Sequence, residues 1–308
     1  MKPKWAILLF LTAICLSCAS GPAPERNPKH LREGIYYHNK GVELFTKGCY
    51  QRAMAYFQDS HQIYAAADEQ AGVARALNSI ADTYFRMGDM ESALLVYGDA
   101  IALSESEKMD VELVRALSNK AAALLALHRS EDAAVVLDRA GKIVNKHWQE
   151  ALYLKTRALL LMEEKNPKQA KTLLESALDA PGGGKDGIAS SIYFSMGRLL
   201  LQSDQPERAR TRFEQALTLD SKKACHHDIA RDLEAIAITH AAVGEHADAV
   251  RYYKRSVKIY ALLKDERRTK TVVSKMRRSA SQANIDIQMT LQWVQTWLND
   301  KSVSAICD

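Results

Sequence analysis

Six alanines, Ala53, Ala93, Ala133, Ala170, Ala209 and Ala249, follow one another at intervals of 40, 40, 37, 39 and 40 residues. A period of that length admits a stack of like units and disfavours a single central core. Each alanine lies five residues after a glycine or polar turn residue (Gly48, Gly88, His128, Lys165, Asp204, Gly244). An aromatic residue or leucine follows four positions on (Phe57, Tyr97, Leu137, Leu174, Phe213, Tyr253), and a small residue three beyond that (Ser60, Ala100, Ala140, Ala177, Ala216, Ser256). Upstream of five of the turns runs a second signature at the same spacings: Leu77, Ala81, Tyr84; Leu117, Ala121, Leu124; Leu154, Ala158, Leu161; Tyr193, Gly197, Leu200; Leu233, Ala237, His240. Steps of three and four place each set on one face of a helix. The small residues let two helices approach closely. With 47% hydrophobic residues, only 7% aromatic and seven prolines in 308, the composition also fits helices better than sheets.

The repeated pattern resembles the tetratricopeptide repeat (TPR) from residue 34 to about 260, in six copies of one register. The resemblance implies an all-α TPR superhelical solenoid of antiparallel helix pairs, with six units over residues 33–262. Its units are about six residues longer than the usual 34, or roughly 9 Å of extra helix, similar in length to those of kinesin light chains and spindle-orientation adaptors. Lys40, Lys120 and Arg157 stand where the family is usually apolar; their stems are expected to pack while their charged heads reach water. Projecting the period once more places Met289, Trp293 and Thr296 at the interface positions of a degenerate seventh pair, so that residues 263–308 form a C-terminal capping pair. The loop from Ala180 to Gly187 is expected to bend the array between units four and five.

The start of the chain reads as an export signal. Lys2 and Lys4 precede a short apolar run from Trp5 to Leu16, too short to span a bilayer comfortably. Cys15-Leu16-Ser17-Cys18 resembles the lipobox of bacterial lipoproteins, which implies a signal peptide over 1–17, lipidation at Cys18, and a Pro-containing tether over 18–32. Ala19 after Cys18 resembles the signal for release to the outer membrane, facing the periplasm. Removing residues 1–17 takes away two lysines and no acid, so the formal charge falls from +5 to +3. That value is too mild to argue for a nucleic-acid partner. Cys49, Cys225 and Cys307 lack Cys-x-x-Cys spacing, so no disulfide framework is indicated and any pairing is left open.

No catalytic or cofactor motif emerges. Gly182-Gly183-Gly184-Lys185 lacks the leading glycine, the hydroxyl residue and the strand of a phosphate loop. Cys225-His226-His227-Asp228 offers metal-ligand side chains, yet neighbours on a helix diverge by about 100°, and a helix start with Asp228 in its first turn accounts for them. The expectation is a protein that is not an enzyme and holds neither metal nor cofactor.

What is left is the concave wall lined by the first helix of each pair. By the family register its residues are Arg75, Asn78, Asp82 and Phe85, then Arg115 and Ser118, Lys155 and Met162, Phe194 and Arg198, and Arg231 and Glu234. The cations Arg75, Arg115, Lys155, Arg198 and Arg231 form a row suited to an acidic or C-terminal segment of a protein partner, with Phe85 and Phe194 supplying apolar anchorage. Trp293 and Trp297 offer a second docking face. The functional expectation is a lipid-anchored interaction scaffold of the cell envelope in a Gram-negative bacterium. A role like that of the TPR-built secretin pilotins, or the regulation of a cell-wall enzyme, is the alternative.

Overall fold

A computed structural model describes residues 29–144, 150–184, 188–299 and 307. Among these are fourteen α-helices. Units one to three are α1 (Lys29–Lys47) with α2 (Tyr50–Ala66), α3 (Gln70–Met87) with α4 (Met90–Ser106), and α5 (Asp110–Ala126) with α6 (Ser130–Ile143). Units four to six are α7 (Glu150–Glu163) with α8 (Pro167–Asp179), α9 (Ala189–Gln202) with α10 (Pro206–Lys222), and α11 (His226–Ala242) with α12 (His246–Leu262). Helices α13 (Glu266–Gln282) and α14 (Gln288–Asn299) follow. The loop expected to bend the array between α8 and α9 lies partly outside the described residues, over 185–187. No helix of the described residues is long and apolar enough to cross a membrane.

The turns explain why the units stack alike. Between the two helices of every unit one residue adopts the left-handed conformation: Gly48, Gly88, His128, Lys165, Asp204 and Gly244. In the second unit Gly88 N donates to Phe85 O and Asp89 N to Tyr84 O, at 3.1 and 3.0 Å, closing the end of α3. Asp68, Lys108, Ala224 and Lys264 do the same between units. An L-residue without a polar side chain gains nothing locally there. Ala224→Gly is therefore expected to raise stability by about 0.5–1 kcal/mol, read as a higher urea midpoint.

Packing repeats with the turns. All six period alanines are fully buried, as are the small residues from Ser60 to Ser256. In the first and sixth units the small residue is a serine, and its hydroxyl donates to a carbonyl of the paired helix, Ser60 to Gly34 O at 3.0 Å and Ser256 to Ala230 O at 2.7 Å. Where the second helix carries phenylalanine, the first carries glycine: a Cβ at Gly41 would lie 2.6 Å from the Phe57 ring, and one at Gly197 2.5 Å from that of Phe213. Lys40 and Arg157 keep their heads at the surface, paired with Glu43 at 2.9 Å and Asp138 at 2.8 Å.

The C-terminal end departs from the projection. In each of the six units the second helix begins two residues after the left-handed one; after Asn284 it begins four later, at Gln288. Asp286 accepts the Gln288 amide at 2.8 Å and sets that start. The delay rotates α14, which packs on α12 through Ile287, Leu291, Val294 and Leu298. Met289 and Trp293, expected at the interface, are instead 65% and 52% exposed, and Thr296 is also exposed.

The cysteines also correct the sequence reading. Cys49, between α1 and α2, is bonded to Cys307, 258 residues away. The bond joins the first unit to the end of the chain, where the sequence indicated no disulfide framework. Cys225 is free.

Candidate partner-binding site

The first helices of the units line the inner wall, and the superhelix brings its two ends together. Helix α1 touches α11. Arg86 of α3 donates to Asp228 of α11 at 2.7 Å and to the Tyr50 hydroxyl at 2.8 Å. The Tyr50 ring meets His227 edge-on at 5.4 Å, and His227 meets Tyr260 at 5.2 Å. His227 also lies 3.3 Å from the Asp265 carboxylate. Gly48 sits so close that a Cβ there would be 3.1 Å from that of His227. The concave wall expected from the sequence is thus a narrowed channel closed by a seam.

Inside it the expected residues divide into three groups. Asn78, Ser118, Met162 and Glu234 are buried and serve the fold. Asn78 Nδ2 donates to the Glu112 backbone and carboxylate, Met162 belongs to the core of unit four, and Glu234 is held by Lys275 at 2.6 Å. A second group is neutralised within the chain. Arg75 pairs with Glu112 at 3.6 Å. Arg115 pairs with Asp82 at 2.8 Å, which also accepts from the Tyr97 hydroxyl and Asn119. Arg231 faces Asp228 at 3.0 Å, Asp232 at 3.5 Å and Asp220 at 3.7 Å. Phe85 is half-buried against the Tyr97 cluster, and the Phe194 ring lies under the Arg231 guanidinium at 4.0 Å.

The third group is Lys155 and Arg198. Among the described residues Lys155 Nζ bonds only to the Ser191 hydroxyl, at 3.2 Å, and neither cation has a carboxylate within ion-pair distance. Burial, then the cations Arg231 and Arg86, push the Lys155 ammonium down to about 8. Arg198 is exposed.

Sequence reasoning missed Arg86, Asp220, Asp228 and Asp232 as inner-wall residues. For Asp228, burial raises the carboxyl, but Arg231 and Arg86 outweigh it and hold the group well below the usual range. Asp232 shows the opposite balance: burial outweighs Arg231 and, with the Asp220 and Asp228 charges, pushes its carboxyl up to about 8. Asp220 and Asp232 are almost wholly buried, and the Oδ2 of each lacks a conventional donor. Burial, with the Asp228 charge, raises the Asp220 carboxyl as well. Because folded Asp232 keeps a proton that the unfolded chain releases near pH 4, its own contribution to stability is lost as pH rises from about 4 to about 8. Asp232→Asn supplies a permanent donor to Asp220 and is expected to flatten that dependence, measured by urea unfolding at pH 5 and pH 9.

The ligand atoms of Asp220, Cys225 and Asp228 lie within 4.8 Å of one another. The Arg231 guanidinium faces both carboxylates and supplies the positive charge that a metal would bring, and burial pushes the Cys225 thiol up to about 11. The set does not suit a metal.

Family models for the tetratricopeptide repeat match residues 26–106 and 190–223. Those segments carry TPR repeats, and the chain's fold is a superhelical solenoid of antiparallel helix pairs like that of TPR proteins. Its fold is similar to a Rap protein complexed with competence and sporulation factor, with TM-score 0.56, 12% identity, and coverage of 83% of this chain and 78% of that one. It is also similar to the Rap conjugation gene regulator of plasmid pLS20 in complex with the Phr* peptide, with TM-score 0.57, 13% identity, and coverage of 93% and 84%. A thermophilic TPR protein of Thermus thermophilus matches with TM-score 0.50 and 18% identity over 68% of this solenoid and 98% of its own chain. No curated protein matches it in sequence.

Proposed function

We propose that this solenoid is a lipid-anchored interaction scaffold of the cell envelope, held through Cys18 at the outer membrane facing the periplasm, whose inner channel captures an acidic or C-terminal segment of a protein partner. Cys18 and the signal over 1–17 lie outside the described residues, as does most of the tether. The observation that carries the reading is the division of the cation row: Arg75, Arg115 and Arg231 form ion pairs within the chain, whereas Lys155 and Arg198, on adjacent first helices, form none with the described carboxylates and feel only longer-range charges such as Glu163. Lys155 is half-buried and its ammonium is held below its ordinary range by burial and by neighbouring cations, and an anion seated beside it would relieve that cost. That two solenoids of similar fold are held with the competence and sporulation factor and with the Phr* peptide supports a bound peptide. The Cys49–Cys307 bond suits an exported, oxidising location.

A photo-cross-linker at Phe194 in cells, followed by identification of the captured protein, tests the site. With that partner in hand, Lys155→Glu combined with Arg198→Glu is expected to weaken binding at least tenfold with unchanged helicity; equal binding would move the site elsewhere. An anion seated on Lys155 restores its proton, so binding at pH 8.5 is expected to take up protons, visible as a calorimetric enthalpy that varies with the buffer.

A further inference from the structure

The bond between Cys49 and Cys307 crosses the seam where the ends of the superhelix meet, and its position favours opening as well as closure. Cys49 occupies the N-cap of α2, where the unpaired amides of the first turn stabilise a thiolate. Arg86 and Arg267 line the same cavity of about 460 Å³ as Cys49 and Cys307. A sulfur so placed is a good leaving group in thiol exchange. Cys49 itself is buried whereas Cys307 is half-buried, so a small thiol reaches the Cys307 side of the bond. The non-covalent contacts across the seam include the Arg86–Asp228 pair, the Tyr50–His227 ring contact and the close approach of Gly48 to His227 and Leu263.

We propose that Cys49–Cys307 is a reducible clasp, and that its opening by a dithiol reductant releases the end of the chain from the first unit and loosens the seam that narrows the inner channel. One thiolate of the reductant attacks Cys307 Sγ, forming a mixed disulfide and expelling Cys49 as thiolate. The second thiol then attacks the mixed disulfide and frees Cys307. The reductant ends as a disulfide, and its two electrons and two protons reside on the two protein thiols. The same two sulfurs re-form the bond when an oxidised dithiol runs the exchange in reverse. This device is independent of what the channel binds.

The test uses the full chain purified without reductant. Alkylation followed by mass spectrometry is expected to label Cys225 and leave Cys49 and Cys307 unlabelled until dithiothreitol is added. Hydrogen exchange is then compared in oxidised protein, reduced protein and Cys307→Ser. The first-turn amides of α2 and α11 are expected to exchange at least tenfold faster in the last two, with α5 unchanged. Labelling of Cys307 before reduction overturns the clasp. So does seam exchange that is the same in all three samples, since the bond would then have no hold on the seam.

Discussion

Cys307→Ser lowers the urea stability of the oxidised protein by about 2–5 kcal/mol, among the largest effects expected of a single substitution in this solenoid. The bond closes a loop of 258 residues, and the loss of chain entropy on cross-linking grows with the logarithm of loop length, reaching on the order of 5 kcal/mol at such a separation. Stacked repeats contact only their neighbours, so the ends of an open array fray independently. Tying the first unit to the last removes that freedom. The control is reductant: with dithiothreitol present, wild type and variant are expected to unfold at the same urea concentration. A gap below about 1 kcal/mol in oxidised samples would show that the seam holds without the bond.

Arg231→Met is expected to cost about 3–5 kcal/mol at pH 8, because it leaves buried carboxylates without their shared cation. Arg231 serves Asp220, Asp228 and Asp232 together and lies over the Phe194 ring. Methionine fills much of the same volume, so the loss is one of charge more than of packing. The pH dependence separates the two. Without the guanidinium the folded carboxyls hold protons that the unfolded chain gives up, so the deficit shrinks as pH falls from 8 towards 5. A deficit independent of pH would assign Arg231 a packing role alone. Arg231→Lys should recover only part, since one ammonium cannot span three carboxylates as a planar fork does.

The fold was legible because each repeat position performs the same packing task. The Ala53 to Ala249 series, the aromatic four residues on and the turn residue five before all occupy in the structure the places that their spacing implies. The register of α14 was not legible: a two-residue delay at Asp286 cancels the projection, and nothing periodic announces it. The row of inner cations was legible too, but its neutralisation was not. Glu112 and Asp228 do stand three residues before Arg115 and Arg231, on the same helical faces, and that spacing is the signal that could have been used. The seam has no comparable signal. Arg86 and Asp228 are 142 positions apart, and only the accumulated curvature of the units between them brings the two together.

The opposition of glycine to phenylalanine has an evolutionary consequence. Where units one and five fill the space between paired helices with a ring against a bare backbone, units three and four fill it with leucine against a methyl group, Leu137 with Ala121 and Leu174 with Ala158. In these four units the sum across the helix pair is kept while its division changes; units two and six, with Tyr97 against Ala81 and Tyr253 against Ala237, hold a larger one. Drift at these sites is thus confined to coordinated exchanges, Gly197→Ala together with Phe213→Leu for example, and relatives that have diverged beyond recognition at either position alone should still agree in their combined volume.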